Sequence, residues 1–94
     1  MKRQRAISEL MAPLQYAFVM LLKERPRSAR EVRESLKDKD IVWTDNGLRQ
    51  YIEDLRRHEY IVIETNSLDN TLYPTDVAIS QAEKTHIFYQ ENYK

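Results

Sequence analysis

Thr44-Asp45-Asn46-Gly47-Leu48-Arg49-Gln50-Tyr51-Ile52-Glu53-Asp54-Leu55-Arg56-Arg57-His58-Glu59-Tyr60-Ile61-Val62-Ile63-Glu64 reads as an amphipathic helix that runs almost directly into a β-strand. Leu48, Ile52 and Leu55 recur at helical spacing and turn inward, while Asn46, Arg49, Gln50, Glu53 and Arg57 form the opposite stripe. Arg, Asn and Gln are the side chains that pair bidentately with guanine or adenine edges in the major groove of DNA. Their clustering on one helix face fits a helix that reads base edges, and fits equally a solvated face.

Beyond this stretch, Tyr60-Ile61-Val62-Ile63 is rich in β-branched and aromatic residues, Asn66-Ser67-Leu68-Asp69-Asn70 is a turn, and Thr71-Leu72-Tyr73 is a returning strand. The pair predicts a small two-stranded wing. Pro74-Thr75-Asp76 then opens a last helix, along one side of which Ile79, Ala82, His86, Tyr89 and Tyr93 recur. Three helices and a wing already close a small domain, so this stripe is a candidate dimer seam; the other option is that it folds back on its own chain.

Upstream, Ile41-Val42-Trp43 returns apolar groups to the core, with Trp43 as a packing anchor, before Thr44 or Asp45 caps the reading helix. Ser28-Ala29-Arg30-Glu31 is a capping box, in which a Ser and a Glu three residues apart satisfy each other's free backbone amides and start a helix. That helix has an inner face of Ala29, Val32 and Leu36 and leaves Arg27, Arg30, Arg33 and Lys37 to solvent or to phosphates. Arg25-Pro26 ends the helix before it, which starts near Pro13 and carries Leu14, Ala17, Phe18, Leu21 and Leu22 on its inner side. Tyr16, Val19 and Met20 add a second apolar strip, so this helix is expected to be covered on two sides, the second by a partner or by the C-terminal helix. A turn through Ile7, Leu10 and Met11 is expected to extend it, and Lys2, Arg3 and Arg5 form a basic arm.

The chain has 94 residues, 41% hydrophobic and 32% charged, which suits one small folded domain with little room for an enclosed catalytic cleft. Its longest apolar run, Ala17 to Leu22, is too short to span a bilayer, and its basic start lacks a signal peptide's pattern. Without Cys there is neither a disulfide framework nor a thiolate metal site, which is compatible with a cytoplasmic location. His58 and His86 are the two histidines and have no partners at metal-ligand spacing; no cofactor is expected. The carboxylate pairs Glu53-Asp54 and Asp38/Asp40 are surface charge balance, and one glycine cannot build a phosphate-cradling loop, so no enzyme is expected. Formal net charge is zero, but residues 1–58 hold 13 Lys/Arg against 9 Asp/Glu, and residues 59–94 hold 2 against 6. The basic half contains the reading helix.

The order of elements predicts a mostly α fold with a small β-wing (α+β). It is a winged helix-turn-helix over residues 13–74, preceded by a basic arm and lead-in turn over residues 1–12 and followed by a dimerisation helix over residues 75–94. From residue 14 to about residue 90 the chain resembles winged helix-turn-helix regulators, the PadR-like and MarR-like families in particular. In PadR-like proteins the reading helix opens with a Thr-Leu-Tyr type motif, continues to a Leu and ends in Glu-Gly-Leu-Ile; Gly47-Leu48-Arg49, Leu55 and Glu59-Tyr60-Ile61 occupy those places. The first-helix ending Leu21-Leu22-Lys23-Glu24-Arg25-Pro26 is also similar. Two features depart from the family: its corner Gly is Glu59 here, and the wing carries Glu64 and Asp69 but no Lys or Arg, so wing insertion into a minor groove is not expected.

The resemblance implies a homodimer that binds double-stranded DNA, most often as a transcriptional repressor. An alternative within DNA binding is a DNA-partition adaptor of a plasmid or virus, which binds a centromere-like site, spreads along DNA and bridges to a second protein. An alternative from another class is a protein-interaction winged helix that does not bind DNA. On the first reading Asn46, Arg49 and Gln50 contact bases, while Thr44, Arg56, Arg57, Arg30, Arg33 and the arm residues Lys2, Arg3 and Arg5 hold phosphates. The dimer seam is formed by Tyr16, Met20, Ile79, Ala82, His86, Tyr89 and Tyr93.

Overall fold

The structure is a computed structural model that describes residues 10–92. Helix α1 (Pro13–Glu24) leads through strand β1 (Arg27–Ser28) into α2 (Ala29–Lys37) and then α3 (Asp45–Arg57). Strands β2 (Ile61–Val62) and β3 (Thr71–Pro74) follow, and α4 (Asp76–Asn92) closes the described chain. The described chain is therefore mostly helical with a small antiparallel sheet, ordered β1-β3-β2, an α+β arrangement.

α2, α3 and α4 each start where a Ser or Thr hydroxyl accepts from a free amide of the first turn. Ser28 Oγ accepts from the Glu31 N–H, and Glu31 Oε1 accepts from the Ser28 N–H, so the predicted box is built. Thr44 Oγ1 accepts from the Gly47 N–H at the head of α3. A Cβ at residue 47 would lie 3.2 Å from that hydroxyl, so the glycine leaves the cap undisturbed. Thr75 Oγ1 accepts from the Ala78 N–H at the head of α4 and donates to the Glu59 carbonyl, which ties the last helix to the corner after α3.

Two helices end on a left-handed residue that is not glycine. After α2, Asp40 has φ 61°, with its own N–H donating to Lys37 and that of Ile41 donating to Leu36. After α3, Glu59 also has φ 61°, and the Glu59 and Tyr60 amides donate to Arg56 and Leu55. Both are the paired reverse bonds that close a helix C-terminus, normally around a glycine. Glu59 thus supplies the left-handed corner through which the chain turns from α3 into β2.

The main core joins Phe18 and Leu22 of α1, Ala29, Val32 and Leu36 of α2, Leu48, Ile52 and Leu55 of α3, and Ile61, Leu68 and Leu72 from the sheet and its connecting loop. Of the inward residues read from helical spacing, those of α2 and α3 and Phe18 and Leu22 of α1 are in this core, while Leu14, Ala17 and Leu21 are half-buried against it. Trp43 packs beside Phe18 and Tyr51, with ring centroids 6.2 and 5.3 Å away, and so anchors the turn that precedes α3. β1 leaves no mark in the sequence, because two residues have no periodicity and its pairing with Thr71 and Leu72 is a long-range relation.

A second cluster of Met11, Val19, Ala78 and Ala82 joins α1 to α4. The second apolar strip of α1 and the stripe of α4 therefore cover each other within one chain. Ala82 is fully buried there, Tyr16 donates or accepts a 2.6 Å hydrogen bond with His86 Nδ1, and the Tyr16 and Tyr89 rings meet edge to face. Met20 packs against the same cluster and Ile79 is half-buried, while Tyr93 lies outside the described residues. Of the residues expected to form a dimer seam, Ala82 is buried within the chain, while Tyr16 meets His86 and Tyr89 intramolecularly. Of the turn expected before α1, Ile7 lies outside the described residues, while Leu10 to Ala12 are not helical and Met11 is buried with its N–H donating to Thr85 Oγ1. Among the described residues no helix is long and apolar enough to cross a membrane.

Candidate nucleic-acid interface

Helix α3 turns Leu48, Ile52 and Leu55 into the core, which leaves Asn46, Arg49 and Gln50 exposed on its other side. Glu53 lies on that same face, three, four and seven residues from Gln50, Arg49 and Asn46. The loop after β2 is fastened over this region. Leu68 is buried in the core, its carbonyl accepts from the Arg30 N–H, and Asn66 Nδ2 donates to the Arg49 carbonyl at 3.3 Å. The loop thereby holds the α3 backbone at the arginine that leads the candidate site.

The cations expected to grip phosphate are mostly paired. Arg33 Nη1 lies 2.6 Å from Asp45 Oδ1, joining α2 to the first turn of α3. Arg30 Nε lies 2.8 Å from Asp69 Oδ1, joining α2 to the hairpin loop. Arg56 is held by both oxygens of Glu53, and Arg57 Nη1 sits 3.9 Å from Asp54 without a hydrogen bond. Arg49, by contrast, forms no ion pair with a described residue. Arg27 was also expected to face outward, but its side chain is largely buried and donates to the Leu21 carbonyl and to Glu24. Thr44 is exposed with its oxygen serving the cap, and Lys2, Arg3 and Arg5 lie outside the described residues.

The carboxylates feel these partners. Arg33 holds Asp45, Arg56 holds Glu53 and Arg30 holds Asp69 below the usual carboxylate range, in each case chiefly by a hydrogen bond. Surface pairs of this kind contribute little to stability, so their main effect is on the field in front of α3 and α2. Four arginines there are screened by carboxylates at their own sites, and the local charge is far less positive than the sequence of the two helices suggests. Sequence periodicity located the face correctly but could not show this pairing, because Arg30–Asp69 and Arg33–Asp45 join residues 39 and 12 positions apart.

Among the described residues there is no group of three or more His, Asp or Glu side chains that could hold a metal ion. No protein-family model, curated protein or solved structure matches the chain.

Proposed function

We propose that the chain is a winged helix-turn-helix protein, of the PadR-like or MarR-like kind, that binds double-stranded DNA sequence-specifically as a homodimer and acts as a transcriptional repressor. The observation that carries this reading is the exposed triad of α3. Asn46, Arg49 and Gln50 share one exposed face, and Arg49 forms no ion pair with a described residue. Such side chains on a helix laid in the major groove recognise guanine and adenine edges. The order of α2, a turn, α3 and a hairpin, with β1 paired to the far side of β3, supports the same fold. Two copies would present two α3 helices to half-sites about one helical turn apart. Selection of bound sequences from a random duplex pool tests the reading: one motif, or a palindrome of it, is expected to enrich, and an unenriched pool would refute it.

A second reading is favoured by the ion pairs. With Arg30, Arg33, Arg56 and Arg57 each facing a carboxylate, the surface around α3 also suits a protein-interaction module of the same fold. On that reading no duplex binds even at low salt, where phosphate contacts are strongest.

A further inference from the structure

The outer side of the β2–β3 hairpin has a different character from α3. Val62 and Tyr73 are register partners and are exposed by 58% and 53%. With Ile63, Glu64, Asn70 and Thr71 they line a shallow hollow of about 310 Å³. β2 is an outer strand of the sheet, bonded to β3 on one side and to no strand of the described chain on the other. The Thr75 N–H donates to the Tyr60 carbonyl, so the alternation of an antiparallel ladder directs the backbone groups of Ile61 and Ile63 away from β3, toward the free edge. Proteins commonly blunt such edges with Lys or Pro, and Ile61-Val62-Ile63 has neither.

Charge selects what such an edge can receive. Glu59, Glu64 and Asp76 around the hairpin are exposed and form no ion pair with a described residue, and the chain has no Lys or Arg between residues 59 and 83. A phosphate backbone or an anionic lipid surface is repelled here. We infer that the free edge of β2 takes an extended, cationic segment of a protein partner as a fourth strand. An apolar residue of that segment rests against Val62 and Tyr73, and a Lys or Arg two residues along the same face meets Glu64. Main-chain bonds to Ile61 and Ile63 supply the docking, and the apolar-x-basic spacing supplies the selectivity. The hollow is lined by none of Asn46, Arg49 and Gln50, so its use does not depend on whether α3 reads DNA.

The test is a titration of the isotope-labelled full chain, followed by amide chemical shifts, with a short synthetic peptide that alternates Thr with Val and Lys so that Val and Lys share one face. Saturable shifts are expected at residues 61–64 and 71–73, with α3 unmoved. A peptide with Glu in place of Lys should not bind, and Glu64→Lys should weaken the Lys peptide about tenfold. Val62→Ser, on an exposed position where folding is undisturbed, should abolish the shifts. Shifts centred on Asp45, Glu53 or Asp54 of α3, equal binding of the Lys and Glu peptides, or no saturable shift with the Lys peptide would overturn the inference.

Discussion

Arg56 lies across the carboxylate of Glu53, its Nε 3.1 and 3.2 Å from Oε1 and Oε2 and its Nη2 2.9 Å from Oε2. Glu53 thus occupies one of the cations expected to grip DNA while placing a negative charge on the face that Asn46, Arg49 and Gln50 share. Glu53→Gln removes that charge and loosens the hold on Arg56. DNA affinity is expected to rise, and the slope of log affinity against log salt to steepen by about 0.9 for each phosphate the freed arginine engages. An unchanged slope would mean that Arg56 does not reach the backbone.

Glu59 takes a left-handed conformation that costs an ordinary residue about 1–2 kcal/mol, and its backbone bonds are those that glycine makes at little cost. Glu59→Gly is therefore expected to stabilise the chain by about 1 kcal/mol in chemical denaturation, less the added freedom of the unfolded state. A clear loss of stability would show that the Glu59 side chain has a role in the fold.

The Tyr51 hydroxyl is buried without a hydrogen-bond partner among the described residues, beside Phe18 and Trp43. Burial, with a smaller contribution from Asp54, pushes its phenol well above the ordinary tyrosine range. A raised acid favours the neutral folded form, so its contribution is complete below the ordinary tyrosine pKa and is lost as pH climbs above it. Tyr51→Phe is expected to leave stability equal or about 1 kcal/mol higher at neutral pH and to reduce its alkaline decline. A loss of more than that at neutral pH would reveal a partner for the hydroxyl.

Acid acts in the opposite sense. Glu31, Asp45, Glu53 and Asp69 are all held below their ordinary values, Glu31 first by the backbone N–H of Ser28 and the other three first by arginines. A depressed carboxylate stabilises the fold above its unfolded value, and that contribution disappears as pH falls through the folded value. Melting temperature should therefore decline from the ordinary carboxylate range downward, less steeply at high salt for the three arginine pairs. Asp69→Asn should remove part of the decline, and an identical acid limb in that variant would exclude the Arg30 pair from it.

The sequence revealed most where one local rule decided the outcome. Ser28 and Glu31 built the predicted box, Thr44 capped α3, and the spacing of Leu48, Ile52 and Leu55 located its buried side. What stayed hidden depends on residues far apart. An apolar stripe on α4 says that the helix is covered, but Ala82 and Val19 had to be brought together before it was clear that the same chain covers it. Arg30 and Arg33 read as free cations until the fold carried Asp69 and Asp45 to them. Glu59 concealed the corner after α3, because a glutamate gives no local sign of a left-handed backbone.

The most direct measurement is fluorescence anisotropy of the wild-type chain and Arg49→Ala on a duplex enriched from a random pool and on its scrambled counterpart, each at several salt concentrations. The account predicts that the wild type prefers the enriched duplex, and that Arg49→Ala loses about 1–3 kcal/mol of that preference while binding the scrambled duplex nearly as before. Equal weakening on both duplexes, or no preference in the wild type, would contradict a reading role for α3.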